Sequence, residues 1–212
     1  MVYALLKCII INLSSKNRTF ATLTRKDKVF HIQDKSFVQY ISHEEIQAKL
    51  SLLANKINTD YSSKEPYFIS VLDGSFMFTS DLLKKVTIPH QVSFVKIKSY
   101  ENTESTGTLN QLIGIQESLQ GKNVVVLEDI VDTGKTMDFL VNELLQDNPA
   151  SVSIATLVYK PASFAGKYIP TYIGFEISNE FIIGYGMDYN GYGRNLESIY
   201  QIKGSDPKIP LC

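Results

Sequence analysis

Apolar residues recur along this chain with two different periods, which predict strands in some segments and helices in others. Short apolar runs rich in β-branched residues predict buried strands, and apolar residues spaced three or four positions apart predict helices. The predicted strands lie at 67–74 (ending in a turn), 91–99, 123–129, 151–159, 171–177, 181–186 and 197–202. The predicted helices lie at 42–61, 76–86 and 135–146. Because strands alternate with helices through the centre, we expect a mainly parallel sheet with helices on both faces.

Polar residues collect where the predicted strands end. Ligands of such sheets bind at the carboxyl ends of the strands. The ends here are Leu72–Ser75, Ser99–Tyr100, Glu128–Thr136 and Lys160. The polar stretch 100–113, YENTESTGTLNQLI, follows one of these ends and is predicted to be a long surface loop or hairpin, which in compact domains often acts as a lid.

The bulk composition sets limits on the class of protein. The chain has 212 residues, 44% hydrophobic and 20% charged, with a net charge of −1, which fits one α/β domain and argues against a nucleic-acid coat. The two cysteines, Cys8 and Cys212, form no zinc-binding pattern, so we expect a reduced, cytoplasmic protein. Residues 1–27 are predicted to be an N-terminal appendage of uncertain structure, with neither a signal peptide nor a membrane span.

The stretch NVVVLEDIVDTGKTM, from residue 123, ends in the Gly-Lys-Thr of a nucleoside-triphosphate loop but does not fit that motif. The motif requires a glycine five positions before Gly134, and that position is Asp129. A triphosphate site with two acids at its mouth would also be electrostatically poor. Spacing and charge therefore exclude a nucleoside triphosphatase.

The same residues suit a sugar phosphate. Backbone N–H groups of the turn that opens the helix, with the hydroxyls of Thr133 and Thr136, can surround one phosphate. Glu128 and Asp129, a few residues back along the strand, can accept hydrogen bonds from a diol or approach a cation. A ribose 5-phosphate has this layout. The alternative is a capped helix after an acidic strand end, with no ligand.

VVVLEDIVDTGKTM resembles the signature of the type I phosphoribosyltransferases, which bind phosphoribosyl pyrophosphate. The resemblance covers roughly residues 28–203. It implies an α/β fold with a mainly parallel sheet flanked by helices, and a small hood built from parts of the N- and C-terminal segments of a domain at 28–212. It also implies Mg²⁺ as cofactor, with Glu128, Asp129 and Asp188 as metal ligands. The phosphoribosyl group would bind at Glu128, Asp129 and the turn residues Thr133, Gly134, Lys135 and Thr136.

Two further segments resemble the pyrophosphate side of the 6-oxopurine members of this family. VLDGSFMFTSDLL (71–83) is similar to their pyrophosphate loop, in which the peptide at Leu72 and Asp73 is typically cis. KSYENTESTG (98–107) is similar to their mobile lid. The resemblance implies pyrophosphate contacts from Asp73, Gly74, Ser99, Tyr100 and Arg194. Position 73 is often Lys or Asn in the family, so for Asp73 only the backbone role is carried over.

Two more segments resemble the part of these enzymes that binds the purine base: LVYKP (157–161) and NEFIIGYGMDYNGYGRN (179–195). By resemblance, the residues that bind the purine are Lys160, Phe181, Ile182 and Asp188. A lysine ammonium can donate to a 6-oxo group but not to the amino group of adenine. Core packing is the alternative for Phe181, and it is our expectation for Tyr185, Tyr189 and Tyr192.

Together these features predict a purine salvage enzyme that transfers 5-phosphoribosyl to hypoxanthine or guanine. Asp132, between the diol acids and the phosphate turn, is the candidate catalytic residue, because it can accept or share the proton of a base nitrogen. We expect phosphoribosyl pyrophosphate and a 6-oxopurine as partners, no nucleic acid or membrane, and a homodimer or homotetramer. The alternatives are a non-catalytic, nucleotide-sensing regulator on the same fold and a xanthine-preferring transferase.

Overall fold

The computed structural model describes residues 29–99, 109–115 and 117–203, which contain ten strands and three helices. The strands are β1 (Val29–Ile32), β2 (Lys35–Ile41), β3 (Pro66–Leu72), β4 (Gln91–Ser99), β5 (Leu109–Ile113), β6 (Asn123–Val131), β7 (Ser151–Tyr159), β8 (Tyr172–Glu176), β9 (Ile182–Ile183) and β10 (Ile199–Ile202). The helices are α1 (His43–Asp60), α2 (Phe76–Leu83) and α3 (Lys135–Leu145). The appendage expected at 1–27 lies outside the described residues.

Six strands form the larger sheet, in the order β5-β4-β3-β6-β7-β8. Strands β4, β3, β6, β7 and β8 run parallel to one another. Strand β5 lies at the edge of the sheet and pairs antiparallel with β4. The α/β class with a mainly parallel sheet is therefore confirmed. Within the stretch predicted to be a loop or hairpin, 109–113 is a hairpin strand, whereas 100–108 lies outside the described residues.

The central strand is buried on both faces, which explains its nearly continuous apolar sequence. Val124 and Val126 pack in the cluster beneath α3, whereas Val125 and Leu127 pack in the cluster beneath α1 and α2. The sequence of β6 turns polar at Glu128 and Asp129, which are themselves buried, and the strand ends two residues later, at Val131.

A second, four-stranded sheet has the order β1-β2-β10-β9, so it combines strands from both ends of the described chain. This sheet is the expected hood. Its strands β1 and β2 are not predicted by the hydrophobic pattern, because both are only half-buried. The strand expected at 181–186 is wrong beyond residue 183, since Gly184, Tyr185 and Gly186 have left-handed backbone angles that end β9.

Helix α1 begins where the sequence predicts. Ser42 and Glu45 form a capping box, in which the Glu45 carboxylate accepts the Ser42 N–H at 2.8 Å and the Ser42 hydroxyl accepts the Glu45 N–H at 3.2 Å. The bond from the Ser42 N–H lowers the pKa of Glu45 most, and the Ser42 hydroxyl, 2.7 Å from the same carboxylate oxygen, lowers it further. Among the described residues no helix is long and apolar enough to cross a membrane.

The turn after β9 is anchored to the core by one tyrosine. Tyr185 is fully buried, as the packing interpretation predicts, and its hydroxyl donates to Asp81 Oδ2 at 2.6 Å. Gln47 Nε2 donates to the same oxygen at 3.0 Å, so α1, α2 and the turn meet at one carboxylate. Tyr189 is half-buried, packing against other aromatic rings, but the packing predicted for Tyr192 is wrong because that ring is mostly exposed.

Replacing Tyr185 with phenylalanine is expected to destabilise the fold by about 1.5–3 kcal/mol, because it removes a bond from a buried hydroxyl to a partly buried, charged acceptor. Burial disfavours ionisation of Asp81, but bonds from Tyr185, Lys84 and Gln47 outweigh it and lower its pKa below the ordinary 3.8. A lowered carboxyl pKa stabilises the fold above the unfolded-state pKa, and this stability is lost as the pH falls through the folded-state pKa.

Urea unfolding checks this expectation. The difference between wild type and Tyr185→Phe should be full at neutral pH and should shrink as the pH falls below about 4. Tyr192→Phe is the control and should stay within about 0.5 kcal/mol of wild type. A difference that is independent of pH would contradict the role given to the Asp81 carboxylate.

Candidate active site

The carboxyl ends of three neighbouring strands meet at one edge of the large sheet. Strands β3, β6 and β7 are adjacent and parallel, and Val131 of β6 stands beside Tyr159 of β7. The segments Leu72–Ser75, Glu128–Thr136 and Lys160 therefore lie at strand ends that are side by side, as the sequence predicts, although β6 continues to Val131, two residues beyond its predicted end. Each of the three contributes side chains or backbone to the candidate site.

A cavity of about 90 Å³ lies at the turn between β6 and α3, lined by Glu128 and by residues 130–137. It is far smaller than the roughly 300 Å³ at which pockets for drug-sized ligands begin, so it suits a single group. The predicted phosphate residues Thr133, Gly134, Lys135 and Thr136 all line it. Gly134 caps α3 without a side-chain bond to the first turn, which leaves N–H groups free for an anion.

Gly134 cannot be replaced by a larger residue without strain. Its φ of 86° is left-handed, and a Cβ there would lie 2.6 Å from the Phe164 ring and 2.9 Å from the Gly166 Cα. The Ala165 N–H also donates to the Thr133 carbonyl at 3.1 Å, and Asp138 accepts the Lys167 N–H at 2.8 Å. The segment 161–168 thus packs against the turn. The sequence pattern did not single out this segment, although its small residues before Lys167 were a usable signal.

The two predicted diol acids are buried but have different surroundings. Glu128 lines the cavity, whereas Asp129 lies against the backbone of Gly74. Burial raises the pKa of Glu128 well above its ordinary value, and the charge of Asp129 raises it further. Burial also raises the pKa of Asp129, although hydrogen bonds and the charge of Arg194 partly oppose it. A ligand with positive charge or hydrogen-bond donors would relieve both carboxylates.

Glu128 and Asp129 can supply some, but not all, of the ligands of a hard cation such as Mg²⁺. Oε2 of Glu128 is buried and has no hydrogen-bond partner, so it can accept a bond from a ligand or ligate a metal. Among the described residues, however, no three acidic, histidine or cysteine side chains cluster closely enough to hold an ion by themselves. Mg²⁺ commonly binds through one or two carboxylates together with water and substrate oxygens, and the site suits this arrangement.

Asp132 and Lys160 form an ion pair in the site. Lys160 Nζ lies 2.9 Å from Asp132 Oδ2, with the lysine almost fully buried and the aspartate half-exposed. Lys160 follows β7, where its N–H donates to the Val131 carbonyl at 3.0 Å. The sequence assigned these two residues to separate roles, as base donor and proton acceptor, and did not predict that they touch.

The predicted pyrophosphate loop packs tightly on its surroundings. The peptide between Leu72 and Asp73 is cis, as the resemblance implies. A Cβ at Gly74 would collide with the Asp129 carboxylate, and a Cβ at Gly186 would collide with the Gly74 carbonyl. Arg194 Nη1 donates to the Gly186 carbonyl at 2.7 Å, which brings the guanidinium to the same region.

Two of the predicted pyrophosphate residues are only partly described. Ser99 ends β4, but its side chain and the whole of Tyr100 lie outside the described residues, together with the expected lid. The Asp73 carboxylate, for which only a backbone role was expected, is bound at both oxygens by Lys96. Lys96 is a functional candidate that the sequence analysis missed.

The predicted base residues of the hood separate into an exposed ring and a buried strand. Phe181 is 44% exposed and touches Phe37 and Tyr189 with tilted or edge-on rings, so core packing does not account for it. Ile182 is buried in β9 and pairs with Gln201. Asp188 pairs with Arg194 Nη2 at 2.6 Å and accepts the Gly191 N–H at 2.6 Å. A metal at Asp188 would have to compete with these partners.

Comparison with known proteins shows the family to which the chain belongs. A profile of the phosphoribosyl transferase domain matches residues 38–190. A hypoxanthine-guanine phosphoribosyltransferase of Mycobacterium bovis is 32% identical over 176 residues, which cover 80% of this chain and 86% of that protein. The crystal structure of a hypoxanthine-guanine phosphoribosyltransferase from Bacillus anthracis has a TM-score of 0.74 and 37% identity, covering 78% of this chain and 98% of that one.

The fold and the site thus define a type I phosphoribosyltransferase. The chain belongs to the family of the hypoxanthine-guanine phosphoribosyltransferases. The bifunctional protein TilS/HprT of Listeria monocytogenes is also similar, with 37% identity over 164 residues that cover 77% of this chain. This chain spans a quarter of the length of that relative.

Proposed function

We propose that this chain is a purine salvage enzyme that transfers 5-phosphoribosyl from phosphoribosyl pyrophosphate to hypoxanthine or guanine. The products are inosine or guanosine monophosphate and pyrophosphate. The observation that carries the proposal is the Asp132–Lys160 pair beside the phosphate-sized cavity. An ammonium and a carboxylate beside a cavity of this size would suit a 6-oxopurine nucleotide, which carries an oxo group and a ring nitrogen within a limited distance of its phosphate.

The base would bind between the sheet edge and the hood. The Lys160 ammonium would donate to the 6-oxo oxygen and leave its bond to Asp132 as it does so. The exposed ring of Phe181 would stack on the purine, and the backbone at Ile182 and Asp188 would face its far edge. Adenine carries an amino group at its 6-position, which cannot accept a hydrogen bond from the Lys160 ammonium. Adenine is therefore disfavoured.

The phosphoribosyl group would occupy the β6–α3 turn. Its phosphate would accept bonds from the N–H groups and hydroxyls of Thr133–Thr136, aided by the dipole of α3. Glu128 and Asp129 would accept bonds from the ribose diol, for which the unpartnered Glu128 Oε2 is available. Both carboxylates also stabilise positive charge as it develops on the ribosyl carbon.

The leaving pyrophosphate would lie on the loop at Asp73 and Gly74, with Arg194, Ser99 and Tyr100 contributing. A guanidinium can pair with a phosphate through two hydrogen bonds, and Arg194 would exchange its Asp188 partner for this contact. Glu128 and Asp129 would hold one Mg²⁺ together with substrate oxygens, and Asp188 would help to hold a second; the ions when bound would neutralise the pyrophosphate charge.

Proton transfer is assigned to Asp132. As the base nitrogen bonds to the anomeric carbon and the bond from that carbon to pyrophosphate breaks, the imidazole ring of the base gains positive charge. Asp132, once released by Lys160, would accept or share the ring proton and offset this charge. Alignment of the two substrates would supply much of the remaining rate enhancement.

The function is tested by pyrophosphate release with phosphoribosyl pyrophosphate, Mg²⁺ and each of hypoxanthine, guanine, xanthine and adenine. We expect turnover with hypoxanthine or guanine and loss of turnover when the metal is chelated. Adenine as the best substrate would contradict the role of Lys160. Xanthine as the best substrate would support the xanthine-preferring alternative. No turnover with any base would contradict the proposal.

Asp132→Asn is expected to lower kcat by about a hundredfold or more, the size usual for a lost acid–base group, while nucleotide binding weakens much less. Asp60→Asn is a matched control, because Asp60 is also a half-exposed partner of a lysine, with 42% of its side chain exposed against 44% for Asp132. Steady-state kinetics and nucleotide titration separate the two effects. Equal losses in kcat and in binding would remove Asp132 from proton transfer.

We also propose that the chain assembles as a homodimer or homotetramer. Val92 and Phe94 are 43% and 41% exposed and alternate onto the same face of β4, which is unusual for apolar residues on a strand beside the sheet's centre. Burial against a second copy of the chain would account for this face.

Sedimentation velocity tests the assembly. Wild type is expected to sediment as a dimer or tetramer, and Phe94→Glu should dissociate it, because a charge at the centre of an apolar interface is costly to bury. Leu52→Glu is the control, since Leu52 is an isolated exposed residue of α1. A monomeric wild type, or a Phe94→Glu variant that stays assembled, would contradict the proposal.

The location proposed for the protein is the cytoplasm, in keeping with its two cysteines and with a reaction that uses free nucleotides. The regulator alternative requires nucleic-acid binding, for which a basic surface is expected. The net charge of −1 gives it no support. A gel shift that depended on added nucleotide would favour that alternative over the enzyme.

A further inference from the structure

Asp73 introduces a negative charge at a place where the proposed function requires an anion to bind. It adjoins Gly74, whose backbone contacts both Asp129 and Gly186. Asp129 and Glu128 already contribute two carboxylates to this edge of the sheet. A third carboxylate, left unpaired, would repel a pyrophosphate group from the same loop.

Lys96 compensates this charge directly. Its Nζ lies 2.8 Å from Oδ1 and 2.7 Å from Oδ2 of Asp73, so both carboxylate oxygens are bound by one ammonium. The contact follows from the sheet. Strand β3 ends at Leu72, which pairs with Lys96, whereas β4 continues to Ser99. Lys96 therefore lies level with the end of β3, where its side chain can reach the loop.

This ion pair contributes little to the stability of the fold. The side chains of Lys96 and Asp73 are 35% and 49% exposed, and pairs this accessible to water are typically worth about 0–1 kcal/mol. No buried network depends on them in the way that Asp81 supports Tyr185. The arrangement therefore has its main effect on the electrostatic potential of the loop.

We propose that Lys96 is a positioning residue for the pyrophosphate end of the substrate, acting through Asp73. It neutralises the Asp73 carboxylate and holds it against β4, which leaves the backbone of Asp73 and Gly74 open to the anion. The inference rests on the proposed function, because it presumes that a pyrophosphate binds this loop. It adds a specific residue of β4 to the recognition of that group.

The test is a double-mutant cycle that removes the charges of Lys96 and Asp73 singly and together. Lys96→Met, Asp73→Asn and the double variant are compared with wild type in kcat, in KM for phosphoribosyl pyrophosphate and for hypoxanthine, and in inhibition by pyrophosphate. Lys122→Met is the matched control, since Lys122 pairs with Glu117 at 3.6 Å and lies just before β6, at the opposite end of the strands. Circular dichroism verifies that each variant is folded.

Lys96→Met is expected to raise KM for phosphoribosyl pyrophosphate about tenfold, the effect of one uncompensated charge near an anion at a protein surface. Inhibition by pyrophosphate should weaken in parallel, and the effect should diminish with added salt. Because the defect acts on one substrate, KM for hypoxanthine should change less than about twofold. Asp73→Asn should lower KM for phosphoribosyl pyrophosphate, since the lysine charge is then unpaired.

The double variant decides the mechanism. Removing both charges should return KM for phosphoribosyl pyrophosphate to within about threefold of wild type, because the repulsion disappears together with its compensation. A double variant as impaired as Lys96→Met would overturn the proposal, and so would an unchanged KM in Lys96→Met. A wild type that binds phosphoribosyl pyrophosphate in calorimetry but turns over no base would contradict the proposed function alone.

Discussion

The candidate site depends on a place where no side chain can fit. The Gly74 backbone lies against the carboxylate of Asp129, and its carbonyl lies against Gly186 of the hood. A Cβ at either glycine would force these groups apart. Because they are in contact, the end of β3, the end of β6 and the turn after β9 form one wall. The position of Arg194, which bonds to the Gly186 carbonyl, follows from this contact.

The charges of the site are balanced in pairs that a ligand can rearrange. Lys160 binds Asp132, and Arg194 binds Asp188, while Glu128 and Asp129 are buried together with raised pKa values. Each cation is thus held near the place where the proposed substrate would need it. A ligand that carries a phosphate, an oxo group and a pyrophosphate would exchange protein partners for its own.

The central strands of the large sheet, such as β6, were predictable because both of their faces are buried, which makes them continuously apolar, and the helices were predictable from their periodic apolar residues. The phosphate turn was predictable for a different reason, since its residues are adjacent in sequence. The hood strands β1 and β2 were not predictable, because half-buried strands carry only a weak pattern of apolar residues. The contacts of Tyr185 with Asp81 and of Lys96 with Asp73 join residues 104 and 23 positions apart. Local patterns cannot indicate such pairs, which only the register of strands and the packing of helices bring together.

The packing of Phe164 and Gly166 on Gly134 has a consequence for the length of the ligand. Lys160 and Gly166 belong to one short connection, tied to the phosphate turn at Thr133 and to α3 at Asp138. This connection therefore holds the backbone of Lys160 next to the phosphate turn. In a purine nucleotide the separation between the oxo group and the phosphate is limited by its covalent bonds. The connection after β7 therefore limits the length of ligand that can contact Lys160 and the phosphate turn together. A ligand with a longer or shorter spacer would contact only one of the two.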